Sequence, residues 1–294
     1  MPTASQPAAS SRFVTVRGHP LAVIEGGEAS DPRPPVVLVP GVLLPAEFWP
    51  RNRPAALRDG RRWAALSLPG HWPSTMPAGT TPGDLTLEFF AEVVDEGARQ
   101  LWGEVPYVAG GYSTGGFAAL CAGALRPDRV VGVLAVSAFL DGRWGGLLGL
   151  QQRLARGGRL GGALFRLAGR AAPASRRIYR VLFRAHARRA VDADRFEATL
   201  GDILPAVRRS DLHDLRTFFA AVRGLDLTSR VAQITAPTLV VHGERDLVPL
   251  RQAETMARDI AQARLAVLPG TGHLFFAEAW ETFDAETSAW LNGV

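Results

Sequence analysis

Lysine is absent from this chain: all 33 basic residues among the 294 are arginine. Alanine, glycine and proline are abundant, so the absence is a compositional bias, and arginine in place of lysine on the surface needs no functional explanation. Cysteine is nearly absent as well. Cys121 alone rules out an intramolecular disulfide and a cysteine-built zinc site, and it fits a reducing, cytoplasmic setting. The longest apolar stretch, Val130–Leu140, falls far short of the roughly 20 residues that span a bilayer. Met1–Ser11 carries no basic side chain and no apolar block, so it reads as a loose polar tail and not as a secretory signal.

Apolar residues make up 47% and charged residues 21%, which excludes disorder throughout. The length suits one large α/β domain or two ordinary ones. A net charge of +5 is modest for this size and does not point to nucleic acid. Its distribution is uneven. Arg143–Arg209 holds 15 arginines against 4 acids, while the rest of the chain is net acidic.

Strand and helix patterns alternate through the first 140 residues. Phe13–Arg17 and Leu21–Glu25 read as an opening hairpin around Gly18-His19-Pro20. Val36–Val39 and Val130–Val136 are continuous apolar runs, as expected of strands buried on both faces. Between them lie a helical stretch to about Arg58, strand Trp63–Leu68, helix Leu85–Trp102, strand Val105–Ala109 and helix Phe117–Arg126. This order implies a parallel sheet. The pattern then breaks into an arginine- and leucine-rich helical segment. It resumes with strand Thr238–Val241, a helix around Gln252–Ala261, strand Leu265–Leu268 and a final helix, Ala277–Leu291. The expected organisation is a tail over residues 1–11, a core over 12–140 and 225–294, and a helical lid over 141–224. Such an insertion belongs over the carboxyl ends of the strands, where open α/β sheets place their sites.

Gly111-Tyr112-Ser113-Thr114-Gly115 matches G-x-S-x-G at a predicted strand–turn–helix junction. That junction holds a serine in a strained backbone, and glycines two residues to either side give it room. A serine nucleophile needs a base, and the base needs an orienting carboxylate. His273 lies in the loop after the last predicted strand and Asp246 in the loop after the one before it. All three therefore leave the same edge of the sheet, in the order Ser…Asp…His. Asp141, just past Val130–Val136, is a rival for the acid. The oxyanion of an acyl-transfer intermediate would be held by the backbone amides of Thr114, at a helix start, and Val42, in the turn after Val36–Val39.

Two further segments, Ser67-Leu68-Pro69-Gly70-His71-Trp72-Pro73-Ser74 and Ala236-Pro237-Thr238 through Asp246, match D-x-P-G-H-G-x-S and P-T-L-x-x-x-G-x-x-D loops except where noted below. With the triad, they make the chain resemble the α/β-hydrolase superfamily with a helical cap, over nearly all of Phe13–Leu291. The resemblance implies an α/β-hydrolase fold, a mostly parallel central sheet flanked by helices with an inserted all-helical cap. It departs from the pattern at Pro40, where His is usual, at Ser67 for Asp and at Trp72 for Gly. The expected activity is hydrolysis of a carboxylic ester or thioester of a small, fairly apolar molecule through an acyl-enzyme, with no metal or organic cofactor. Acyl transfer or cyclisation by the same triad, and a ligand-binding protein without turnover, are the alternatives.

The remaining candidates have plainer readings. His71 and His242 shape loops; His19, His186 and His213 belong to the surface or the cap; Cys121 is a small buried apolar residue. Trp49, Trp72 and Trp144 line the pocket or pack as ordinary aromatics. The arginine-rich cap either presents a solvated face or steers an anionic substrate, such as a phosphopantetheine-linked acyl group on an acidic carrier protein.

Overall fold

The computed structural model describes residues 12–294; the expected tail, residues 1–11, lies outside them. Eight strands form one sheet: β1 (Arg12–Val16), β2 (His19–Gly26), β3 (Val36–Val39), β4 (Trp63–Leu66), β5 (Tyr107–Tyr112), β6 (Val130–Val136), β7 (Thr238–Gly243) and β8 (Ala263–Leu268). Their spatial order is β1-β2-β4-β3-β5-β6-β7-β8. The β1–β2 and β2–β4 pairs are antiparallel and the rest are parallel. From β3 the chain crosses to β4 on one side and later to β5 on the other. The carboxyl ends of β3 and β5 thus flank the point where strand order reverses, the crevice in which open α/β sheets bind ligands.

Side-chain alternation divides the core into two. Val37 and Val39 of β3 face one cluster, and Val36 and Leu38 face the other. The first is covered by α2 (Leu87–Trp102), α3 (Thr114–Leu125) and α9 (Leu250–Asp259); the second by α1 (Phe48–Asn52) and α11 (Trp280–Leu291). Thr86 starts α2, its Oγ1 accepting the Phe89 amide at 3.2 Å. α3 is buried all round and built mainly from alanine and glycine, which lets it lie close against the central strands. Cys121 is buried within it, as expected of a small apolar residue.

Five helices lie between β6 and β7: α4 (Gly146–Arg156), α5 (Gly158–Ala174), α6 (Arg176–Arg184), α7 (Ala193–Arg209) and α8 (Leu212–Val222). Phe165 of α5 and Phe218 and Phe219 of α8 join the first core, whereas Tyr179 of α6 and Phe196 and Leu200 of α7 join the second. The helical segment therefore rests on both sides of the sheet.

The Ser67–Ser74 loop and the residues just after it are tied to this segment at α8 and at the turn between α7 and α8. The Met76 amide donates to Asp214 Oδ2 at 2.9 Å, and the Trp72 amide to Ser210 Oγ at 3.0 Å. The two departures in this loop have local explanations. Ser67 Oγ accepts the Ala46 amide at 3.1 Å, and Trp72 is an exposed side chain beneath Arg209.

His71 is fully enclosed in the same loop, its Nδ1 3.0 Å from the Pro69 carbonyl and its ring edge-on to Phe218. Burial pushes its pKa down to about 4 against the opposing pull of that carbonyl. Between pH 6.5 and 4 the unfolded chain binds a proton that the folded chain refuses, so stability falls as pH drops through this window. In urea titrations the wild type should lose about 2–3 kcal/mol more between pH 7 and 4.5 than His71→Asn does. Equal losses would place the acid lability elsewhere.

Candidate active site

Ser113 stands between the end of β5 and the start of α3 with φ 54° and ψ −114°, a strained conformation for a side-chain-bearing residue. Its backbone is held from both sides. The Ser113 amide donates to the Val136 carbonyl of β6 at 2.8 Å, and its carbonyl accepts the Phe117 amide at 3.0 Å. The flanking glycines answer to crowding. A Cβ on Gly111 would lie 2.2 Å from the Gly115 carbonyl, and one on Gly115 would lie 1.9 Å from the Val39 oxygen. The turn therefore closes so tightly on β3 that only hydrogen fits at these two positions.

His273 and Asp246 leave β8 and β7 at the same edge. His273 Nδ1 lies 2.7 Å from Asp246 Oδ1, and both side chains are buried. Asp246 Oδ1 also accepts the Val248 amide at 2.9 Å. Burial drives the Asp246 carboxyl up, yet the attraction of His273, that hydrogen bond, His242 and the Val248 amide together hold it below the ordinary carboxylate range. A carboxylate on Nδ1 places the imidazole proton there and leaves Nε2 as the free acceptor.

Ser113 and His273 open on one cavity of about 100 Å³. Val42, Leu43 and Leu44 form one wall, Leu147 and Leu148 of α4 another, and Tyr179, Leu182 and Phe183 of α6 a third; Gln151 and His186 are among its few polar groups. Gly41 backs onto the serine, where a Cβ would sit 3.2 Å from Ser113 Cβ. The amides of Val42 and Thr114 donate to no other group among the described residues.

The alpha/beta hydrolase family model matches residues 36–286. The chain belongs to that family. No curated protein matches its sequence. Among solved structures, this hydrolase superposes on the enol-lactonase from Burkholderia xenovorans LB400 with a TM-score of 0.74 at 23% identity, over 96% of this chain and 100% of that one. A hydrolase from Pseudomonas aeruginosa PA01 gives 0.75 at 24%, over 98% and 100%. A thermophilic esterase from Thermogutta terrifontis gives 0.73 at 21%, over 97% and 99%. These likenesses carry the fold.

The rival acid, Asp141, is engaged elsewhere in the hydrolase. Its carboxylate binds the Arg143 guanidinium at 2.6 Å, beside an isolated bridge to Asp226. Among the described residues no tryptophan lines the cavity: Trp49 is fully buried, Trp144 packs edge-on to Phe139 and Phe219, and Trp72 faces solvent. His19, expected at the surface, is buried on β2 against Phe89. Both faces of β2 are covered there, which a short alternating stretch does not announce.

The support of His273 comes from residues that motif reading passes over. Tyr112 Oη donates to the His273 carbonyl at 2.7 Å, and the His273 amide donates to the His186 carbonyl at 3.0 Å. Glu278 ends the short helix α10 (Phe275–Glu278) and turns inward. Its Oε2 accepts the amides of Gly272 (2.9 Å), Arg188 (2.7 Å) and Arg189 (3.1 Å), and its Oε1 accepts that of Leu274 (3.0 Å). One buried carboxylate thus joins both neighbours of His273 to the chain leaving α6. The available signal was a lone acid in the apolar run Leu274–Ala279.

Proposed function

We propose that this protein is a serine hydrolase that cleaves a carboxylic ester or thioester of a small, fairly apolar molecule through an acyl-enzyme. The observation that carries this reading is the His273–Asp246 contact of 2.7 Å, opening with a strained Ser113 onto one apolar cavity. Ser113 Oγ attacks the acyl carbon while His273 Nε2 takes its proton. Asp246 holds the imidazole in the working tautomer and stabilises the imidazolium that forms. The tetrahedral oxyanion falls to the amides of Val42 and Thr114, whose hydrogens have no competing partner among the described residues. His273 then protonates the leaving alcohol or thiol. Water, activated by the same imidazole, releases the acid and restores Ser113. Helices α4–α8 act as the cap, and the leucines and aromatics of α4 and α6 favour a short acyl or aryl group over a charged one.

A fluorophosphonate probe followed by a panel of matched acyl esters and thioesters tests this. Stoichiometric labelling at Ser113 with release of free acid is the expected result. Labelling with transfer of the acyl group to an added alcohol or amine would instead make the enzyme a transferase or cyclase. No labelling would make it a binding protein.

Glu278 should matter to this chemistry through position alone. Glu278→Gln sets an amide NH₂ against at least one of the backbone donors now accepted, and removes the charge that strengthens all four bonds. The variant should lose about 1–3 kcal/mol of stability. It should also lower kcat by about ten-fold or more with little change in KM, because a displaced base costs the transition state more than it costs binding. Thermal melts and steady-state kinetics on one ester check both. An unchanged kcat in a destabilised variant would reduce Glu278 to a purely structural tie.

A further inference from the structure

Residues 142–191 contain 12 arginines and no acidic residue. Nine of these arginines have no carboxylate within 4.0 Å among the described residues; only Arg143, Arg176 and Arg180 are paired, with Asp141 and Glu197. The same stretch carries seven of the eleven large apolar side chains that the described surface leaves exposed. On α5, Leu160, Leu164 and Leu167 recur at helical spacing and are 74%, 44% and 64% exposed. On α6, Ile178 and Val181 follow the same rule, with Val181 66% exposed.

Cations lie beside these stripes. Arg159, Arg166 and Arg170 fall about a quarter-turn from the α5 leucines, and Arg177 and Arg184 lie similarly beside Ile178 and Val181. Arg166 and Arg170 also line, with Arg208 and Arg209, a cleft of about 590 Å³; Asp211 at its edge is engaged in capping α8. The same helices reach the active-site cavity. Leu147 of α4 is both exposed and part of its wall, and Leu182 on the next turn after Ile178 lines it from α6.

We propose that the outward face of α4–α6 seats this hydrolase on an anionic lipid bilayer, with the mouth of the cavity toward the lipid. Aliphatic side chains at helical spacing, flanked by arginines and free of acids, match an interface with an apolar interior and a phosphate surface. Guanidinium groups grip phosphate bidentately, and the leucines enter the acyl boundary. A second copy of the chain is a poor occupant, because pairing this face with itself opposes two surfaces of like charge. An acidic carrier protein would use the arginines and leave the leucines in water. The inference concerns binding alone and stands apart from the catalytic reading.

The test is co-sedimentation of the full chain with vesicles of phosphatidylcholine alone or in equimolar mixture with phosphatidylglycerol. The expected result is binding to the mixed vesicles at least about ten-fold tighter than to neutral ones, weakened as salt shortens the Debye length to about 3 Å at 1 M. Leu160→Ser/Leu164→Ser/Leu167→Ser should lower that binding about ten-fold or more while melting and eluting as the wild type does, since these side chains already face water. Arg159→Gln/Arg166→Gln/Arg170→Gln should reduce binding to the level seen on phosphatidylcholine. Three outcomes overturn the proposal. One is no binding to mixed vesicles at low salt. Another is loss in the arginine variant alone, which would indicate a purely ionic ligand such as an acidic protein. The third is a solution dimer that the leucine variant dissolves.

Discussion

Replacing Ser113 or His273 by alanine should each lower kcat on any ester the enzyme turns over by about three orders of magnitude or more. In the proposed mechanism the two residues act as one unit: without the serine no acyl-enzyme would form, and without the imidazole the hydroxyl would keep its proton. The double variant should consequently be no worse than either single one. Folding should survive in both single variants, with His273→Ala the less stable of the two, because it leaves the buried Asp246 carboxylate without its 2.7 Å partner. A third variant separates the strained backbone from the chemistry. Ser113 sits at φ 54°, and the neighbouring strand, helix and glycines hold it there, not its hydroxyl. Alanine inherits that strain, whereas glycine relieves it. Ser113→Gly should thus be inactive yet more stable than Ser113→Ala by about 1 kcal/mol, after the entropy that glycine adds to the unfolded chain. Urea unfolding of the wild type, Ser113→Ala and Ser113→Gly, alongside kcat on one ester, measures both effects. A folded Ser113→Ala protein keeping more than a few percent of activity would remove Ser113 from the mechanism.

The parts of the fold legible in sequence are those whose physics is local. Val36–Val39 and Val130–Val136 were bounded correctly because each is a short, valine-rich apolar run, the pattern of a strand buried on both faces. β5 was expected over Val105–Ala109 but runs from Tyr107 to Tyr112, through two glycines that alone suggest a loop. Pairing with β3 and β6 keeps them in the sheet, and the serine begins only where that ladder ends. The last helix, expected whole over Ala277–Leu291, is two helices separated at Ala279, whose non-helical backbone (φ −150°, ψ 39°) ends α10 and starts α11 (Trp280–Leu291). That break turns Glu278 into the protein. Its partners, like those of Tyr112, are backbone groups, and backbone groups leave no residue pattern to read. The placement of Ser113, His273 and Asp246 at one edge of the sheet could be read for the opposite reason: the proposed chemistry names its side chains. That mechanism would demand a serine, a histidine and a carboxylate at particular strand ends.

The largest remaining effect separates the two carboxylates. Asp246→Asn should lower kcat by about three to four orders of magnitude, and Asp141→Asn by no more than about two-fold. The asparagine at 246 has room to keep the shape of the site. Its carbonyl can stay at Oδ1, accepting from His273 and Val248, and its amide then occupies the place of Oδ2, which has no partner among the described residues. What disappears is the charge that stabilises the imidazolium, so the loss should fall on kcat with little change in KM. Acid stability supplies a second signature. The Asp246 carboxyl titrates below its unfolded value, so the stabilisation it gives is complete above about pH 4 and vanishes as pH falls through the folded pKa. Asp246→Asn should flatten that limb of the stability curve. Asp141 also titrates low, burial opposing and the Arg143 contacts prevailing, but its partner is an exposed arginine with no path to His273 in the contacts it makes. Its replacement costs one solvent-screened ion pair. Rates and melts of the two variants at pH 7 decide between the carboxylates: a large kcat loss at 141 with a small one at 246 would transfer the role of acid to the end of β6, and the contact between His273 and Asp246 would then need another purpose.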